Sequence, residues 1–172
     1  MSKRFSSIKV ISHRGYSSER PENTISSFDW SIESGFPYIE LDIHLTSDQV
    51  PIVMHDEYVD RTTNGFGAIR EFTLAQIKEL DAGSWFGPKF IGETVPTLEE
   101  VLVRYSGKAH IFVELKSLEE ILVNSLRELI TSHGWMPVPS SIPDIDVLQV
   151  PGVSIISFAP EQVLLSKNIL PE

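Results

Sequence analysis

The order of apolar patterns along this chain predicts an α/β fold carried by a parallel sheet. Apolar runs of strand length alternate with stretches whose apolar residues recur at helical spacing. Two of those runs end in histidine, in "IKVISH" and "VPIVMH", and parallel sheets keep their chemistry at the carboxyl ends of strands. The 172 residues suffice for one sizeable core and are short for two domains.

Each element can be justified in turn. Residues 8–12, "IKVIS", read as a short strand. Asn23 and Thr24 cap a helix in which Ile25, Phe28 and Ile32 share a face, and Gly35 stops it. "YIELDIHL" (38–45) alternates as a strand does, and a turn at Ser47 and Asp48 leads to a third strand, "VPIVMHD" (50–56). "RTTNGFG" (61–67) is a turn in which Gly65 and Gly67 allow backbone angles that other residues resist. A short helix, "LAQIKEL", is stopped near Gly83. Thr97 and Glu100 form a capping box that opens the helix "TLEEVLVRY" (97–105). "HIFVELK" (110–116) is a continuous, buried fourth strand. A second predicted capping box, Ser117 with Glu120, opens a helix over 117–134 whose apolar face includes Leu118, Leu122, Leu126 and Ile130. Residues 135–152 hold four prolines and read as a long loop; "VSIISF" (153–158) is a fifth strand and "PEQVLLSKN" a last helix.

Lys and Arg total 14 against 24 Asp and Glu, a formal net charge of -10. This argues against nucleic acid or an anionic membrane as partner, since both demand a basic face. The absence of cysteine excludes a disulfide framework, a zinc–thiolate site and a cysteine nucleophile. "MSKRF" is basic, but no apolar segment follows it, so no signal peptide is expected. No run approaches the ~18 apolar residues of a membrane span, and a cytoplasmic protein is the expectation.

The candidate chemistry lies on the strands. Glu40, Asp42 and His44 alternate along one strand and therefore point to one face. Two carboxylates in that register stand about 7 Å apart along the strand and can converge on one ligand. Glu114, flanked by Phe112, Val113 and Leu115, is a third carboxylate near a strand end. Oxygen donors of this kind suit Mg²⁺ or Ca²⁺. The competing reading makes Glu40 and Asp42 solvent-facing residues of a half-exposed strand, and pattern alone leaves both open. His13 and His55 each follow an apolar strand. One such histidine is ordinarily a polar end-cap, whereas two at equivalent strand ends could face each other across a substrate and share acid–base work. Arg14 and Lys116 each stand just beyond a strand end; they form either surface ion pairs of little worth or a cationic clamp for an anion. His44 reads as lining the sheet face, and His110 and His133 as surface residues. Trp30, Trp85 and Trp135 read as packing residues.

In this order the motifs "HRG" (13–15), "PENT" (21–24), "IELDIHLTSD" (39–48), "PIVMHD" (51–56), "RTTNGFG" (61–67), "VPTLEEVL" (95–102) and "VELK" (113–116), with a looser "IISF" (155–158), resemble the glycerophosphodiester phosphodiesterase family. The resemblance implies a (β/α)8 TIM barrel and metal-dependent hydrolysis of glycerophosphodiesters to glycerol 3-phosphate and an alcohol. It implies that Glu40, Asp42 and Glu114 bind one divalent cation, Mg²⁺ or Ca²⁺, and that His13 and His55 act as acid and base. It further implies that Arg14 and Lys116 contact phosphate, and that residues 57–95 are an inserted subdomain walling the cleft. A closed barrel of this type has eight strands and about 250 residues. The chain is therefore expected to be a single, truncated barrel domain over 1–172 with about five of the eight βα units. Its first and fifth strands would expose pairing edges, which a second copy could cover to complete the barrel. Two alternatives accompany this reading: a catalytically weak domain kept for binding a phosphodiester or a partner, and a related phospholipase of the sphingomyelinase D or phosphatidylinositol-specific phospholipase C type.

Overall fold

The computed structural model describes residues 8–117, 119–135 and 150–169. All five expected strands are present: β1 (Ile11–His13), β2 (Tyr38–Leu45), β3 (Pro51–Val53), β4 (His110–Leu115) and β5 (Gly152–Ile156). They form one sheet in the order β1-β2-β4-β5, every pairing on that path being parallel. The described residues also form helices α1 (Ile25–Glu33), α2 (Leu74–Lys78), α3 (Leu98–Tyr105), α4 (Glu120–Ser132) and α5 (Pro160–Ile169), with short 3-10 turns at Ile69–Glu71 and Pro88–Phe90.

Alternation along β2 and β4 explains where the core sits. Ile39, Leu41 and Ile43 of β2, with Ile111, Val113 and Leu115 of β4, meet Phe28 of α1, Leu102 of α3 and Leu126 of α4 in one apolar cluster. Each such side chain contributes about 1.5–3 kcal/mol when fully buried. The helices in that cluster cover one face of the sheet, which leaves the other face to the even-numbered residues of the alternation. A second, smaller cluster of Ile52, Met54, Val59, Ile69, Ile77, Ala82 and Val95 gathers around the segment that follows β3. Among the described residues no helix is long and apolar enough to cross a membrane.

The caps follow sequence in two cases and depart from it in a third. The Thr24 side chain caps α1 by accepting from the Ser27 amide at 3.3 Å. Thr97 and Glu100 form the expected box: Thr97 Oγ1 accepts from the Glu100 amide at 3.1 Å, and Glu100 Oε2 from the Thr97 amide at 2.8 Å. Ser117 does not cap α4. That helix begins after Glu119 with no side-chain cap, because Ser117 stays in the exit from β4, where its carbonyl accepts from Gln162 Nε2 of α5 at 2.7 Å.

Three further expectations are corrected. β3 is not a parallel barrel strand but runs antiparallel to the end of β2, with Ile43 opposite Val53 and Leu45 opposite Pro51. The linker between them, residues 46–50, is a tight turn closed by the Thr46 amide on the Val50 carbonyl at 3.1 Å, and a parallel return needs a crossover of a dozen or more residues. His110 is not a surface residue. It is 1% exposed, with Nε2 2.9 Å from Ser154 Oγ, because β4 is an inner strand covered along its whole length. The strand expected over 8–12 is paired only from Ile11. Leu118 and most of the proline-rich loop expected over 135–152 lie outside the described residues.

Candidate functional site

The face of the sheet opposite the helices carries Glu40, Asp42 and His44 on β2 and Glu114 on β4. Parallel register sets His13 beside Glu40 and Asp42 beside Glu114. One oxygen from each of Glu40, Asp42 and Glu114 lies within 4.8 Å of the others. All three residues are buried, so they are not the solvent-facing charges of a half-exposed strand. Burial, then the charge of Asp42, push the Glu40 carboxyl up to about 7, against a hydrogen bond from the Arg14 backbone. Glu40 Oε1 and Asp42 Oδ1 are buried with no hydrogen-bond partner. Buried acceptors without donors are costly, and a hard divalent cation is the ligand that all-oxygen donors of this kind fit.

The cationic residues border the trio. Lys116 Nζ stands 2.8 Å from Glu114 Oε1 and 3.5 Å from Asp42 Oδ1. Arg14 has a left-handed backbone, φ 56°, a conformation uncommon for a residue other than glycine. Its amide donates to Glu40 Oε2 at 2.8 Å, Nε lies 3.4 Å from Asp42 Oδ2, and Nη1 donates to Glu22 Oε1 at 3.0 Å. Gly15 completes the turn at φ 79°, where an added Cβ would come within 2.2 Å of Ser27 Oγ. Asn23, also left-handed at φ 56°, donates from Nδ2 to Asp42 Oδ2 at 2.9 Å. His13 Nε2 stands 3.9 Å from Glu40 Oε2, with most of its ring exposed.

His55 arrives from the opposite direction to His13, since it follows the antiparallel β3; the two do not occupy equivalent strand ends. The hairpin returns the chain alongside Asp42, whose carbonyl accepts from the Met54 amide at 3.0 Å. The His55 carbonyl lies 3.1 Å from Nε2 of His44, a ring whose basicity is reduced by burial. His55 Nδ1 is 2.6 Å from Asp56 Oδ1. Arg61 then grips two carboxylates. Nε and Nη2 donate to Asp56 at 2.6 and 3.0 Å, while Nη1 and Nη2 donate to Glu22 at 2.9 and 2.8 Å. The hydrogen bond from Arg61, against burial, holds Asp56 down at about 2. Burial alone would raise Glu22, but Arg61 and Arg14 outweigh it and hold that carboxyl low. An unbroken run of ionic contacts, His55–Asp56–Arg61–Glu22–Arg14–Asp42, thus connects the second histidine to the trio.

Six of the seven residues singled out by sequence, His13, Arg14, Glu40, Asp42, Glu114 and Lys116, touch one another directly or through one neighbour, and His55 joins by the ionic run. Sequence reasoning did not assign Glu22, Asn23, Asp56 or Arg61 to the site. Their local signal is membership of the motifs that carry the family resemblance, "PENT" for Glu22 and Asn23, "PIVMHD" for Asp56 and "RTTNGFG" for Arg61, without a role in the site attached to any of them.

A family model described as the Glycerophosphoryl diester phosphodiesterase family matches residues 13–133. A glycerophosphodiester phosphodiesterase of Bacillus subtilis (strain 168) is 45% identical over 135 residues, covering 70% of this chain and 46% of that protein. One from Caldanaerobacter subterraneus subsp. tengcongensis is 48% identical over 127 residues, covering 69% of this chain and 52% of that protein. Among solved structures, an Oleispira antarctica phosphodiesterase in complex with the product sn-glycerol-3-phosphate is similar with a TM-score of 0.81 and 34% identity, over 96% of this chain and 63% of that one. The fold is therefore of the (β/α)8 TIM-barrel type, with the four parallel strands as an arc of the barrel. The chain spans about half the length of the curated relatives it matches.

Proposed function

Because the chain belongs to the glycerophosphoryl diester phosphodiesterase family, we propose that it hydrolyses glycerophosphodiesters to glycerol 3-phosphate and an alcohol, using one divalent cation, Mg²⁺ or Ca²⁺. The observation that carries this reading is the buried trio Glu40, Asp42 and Glu114, two of whose oxygens have no hydrogen-bond partner.

Charge supports the same reading. With all three carboxyls ionised, as a bound cation would require, Glu40, Asp42 and Glu114 against Arg14 and Lys116 carry a net charge of about -1, and like charges ~4 Å apart repel by ~4 kcal/mol at an effective dielectric of ~20. A divalent cation held by Glu40, Asp42 and Glu114 reverses the sign to about +1, which matches the single negative charge of a phosphodiester. When bound, such a cation supplies Lewis-acid stabilisation of charge on phosphoryl oxygens. Arg14 and Lys116 hold the nonbridging oxygens, the guanidinium by a fork and the ammonium as a point charge. One of His13 and His55 takes the proton of the attacking hydroxyl, either the substrate's own glycerol hydroxyl or water. The other protonates the alkoxide that leaves as the P–O bond breaks; where the glycerol hydroxyl is the attacking group, the cyclic phosphate so formed is opened by water to give glycerol 3-phosphate. In the same proposal residues 57–95 form an inserted subdomain that walls the cleft, and the protein works in the cytoplasm.

Purified protein given glycerophosphocholine or glycerophosphoethanolamine with Mg²⁺ or Ca²⁺ is expected to release glycerol 3-phosphate, and a chelator to stop the release. His13→Ala and His55→Ala are each expected to lower kcat at least ~100-fold while cation binding persists. Absence of turnover with either metal would leave a phosphodiester- or partner-binding domain as the better reading, and unchanged rates in the variants would reject the acid–base roles.

A further inference from the structure

We propose that Arg61 is a positioning residue for this hydrolysis: by gripping Glu22 and Asp56 together it forms a brace that fixes the imidazole of His55 and the guanidinium of Arg14 relative to each other. The proposal rests on the reading of His55 as a proton-transfer group and of Arg14 as a phosphate ligand. Arg61 itself touches neither the carboxylate trio nor either imidazole, and acts through the two carboxylates.

The geometry is specific. Arg61 spends four of the five donors of a guanidinium on two carboxylates that come from distant parts of the chain, Glu22 lying 39 residues before it. Both Asp56 oxygens are engaged, so the carboxylate cannot rotate away from the ring. Asp56, held at about 2, is ionised under ordinary conditions and can only accept. The 2.6 Å contact from His55 Nδ1 to Asp56 Oδ1 therefore requires the proton of the neutral ring to sit on Nδ1, which leaves the Nε2 lone pair for substrate. On the other side, Glu22 Oε1 is shared between Arg61 Nη2 at 2.8 Å and Arg14 Nη1 at 3.0 Å. One guanidinium thus sets a tautomer at one end and the direction of a phosphate-binding group at the other.

The plain alternative is a surface ion pair, since the Arg61 side chain is 44% exposed. Such pairs contribute little and would leave the histidine unaffected. Glu22, by contrast, is 13% exposed at its side chain; without Arg61 it would confront Asp56 with one cation, Arg14, in place of two.

Long-range ¹H–¹⁵N spectra of histidine-labelled protein, recorded where the ring is neutral, decide between these readings alongside steady-state kinetics on glycerophosphoethanolamine. The wild-type chain is expected to hold His55 in the Nδ1–H form. Arg61→Gln is expected to give a tautomer mixture and a kcat about 10- to 100-fold lower, the range found for residues that orient a functional group from behind. Arg61→Lys should fail in the same way, because an ammonium cannot fork two carboxylates, and it carries the test if Arg61→Gln does not fold. Asp56→Asn should likewise lose the Nδ1–H form. The proposal is overturned if His55 keeps its tautomer in the Arg61 variants, or if kcat stays at the wild-type value after the tautomer is lost. The spectra need no turnover. A wild-type chain with a fixed tautomer and no hydrolysis would contradict the proposed function, and with it any catalytic consequence of the brace, while leaving the brace itself intact.

Discussion

Asp42 shows at the scale of one side chain how the site trades stability for chemistry. It is fully buried, accepts from Asn23 at 2.9 Å, lies within 3.5 Å of both Arg14 and Lys116, and still leaves Oδ1 without a hydrogen bond. Its charge is also one of the forces holding the neighbouring Glu40 carboxyl at about 7, after burial. Asp42→Asn keeps the shape and removes one of three crowded negative charges, while Arg14 retains Glu22 and Lys116 retains Glu114. Cation affinity is expected to fall at least ~10-fold, whereas the melting temperature without metal should hold or rise. A lower melting temperature in metal-free buffer would show that the charge is structural. The carboxylates were legible in sequence because strand alternation assigns a face to each residue from its position alone. The roles of Glu22, Asp56 and Arg61 were not, although all three stand in motifs of the family resemblance, because those roles lie in contacts between separate loops, which no local pattern encodes.

Secondary-structure elements divide along the same line between local and non-local causes. The Thr97 box formed because its donor and acceptor lie within one helical turn. The Ser117 box has the same sequence pattern, yet α5 claims the Ser117 carbonyl through Gln162, and the hydroxyl is left buried without a partner. Thr97→Ala is therefore expected to cost about 1 kcal/mol in urea denaturation, while Ser117→Ala should be neutral or slightly stabilising, since it removes an unsatisfied group. Equal losses would contradict this account of the caps. The direction of β3 was within reach of the sequence. A linker confined to residues 46–50 permits a hairpin and forbids a parallel crossover, and that length decides the matter more firmly than the strand–helix alternation does. This hairpin carries His55 back toward the level of Asp42, so the error in strand direction was also an error in how the second histidine reaches the site.

At the scale of the molecule, four parallel strands with helices on one face make an arc whose outer strands are β1 and β5. Apolar side chains are exposed along that boundary, including Ile8 and Val10 before β1, Ile11 at its start and Phe158 after β5, the last 92% exposed. The α/β class was legible because alternation of strand and helix patterns is a property of consecutive residues. What lies against the outer edges of β1 and β5, which no described strand pairs, is not, since no residue within the arc specifies it. The arc nevertheless contains β2 and β4 side by side, and with them the whole carboxylate trio. The central claim is that these two strands share one ion. Calorimetric titration of metal-free protein with Mg²⁺ or Ca²⁺, run on the wild-type chain and on Glu114→Gln, tests it most directly, because Glu114 comes from β4 and its partners from β2. Saturable binding of one ion per chain that is lost in the variant is the predicted result; no binding to the wild type, or binding undiminished in Glu114→Gln, would contradict it.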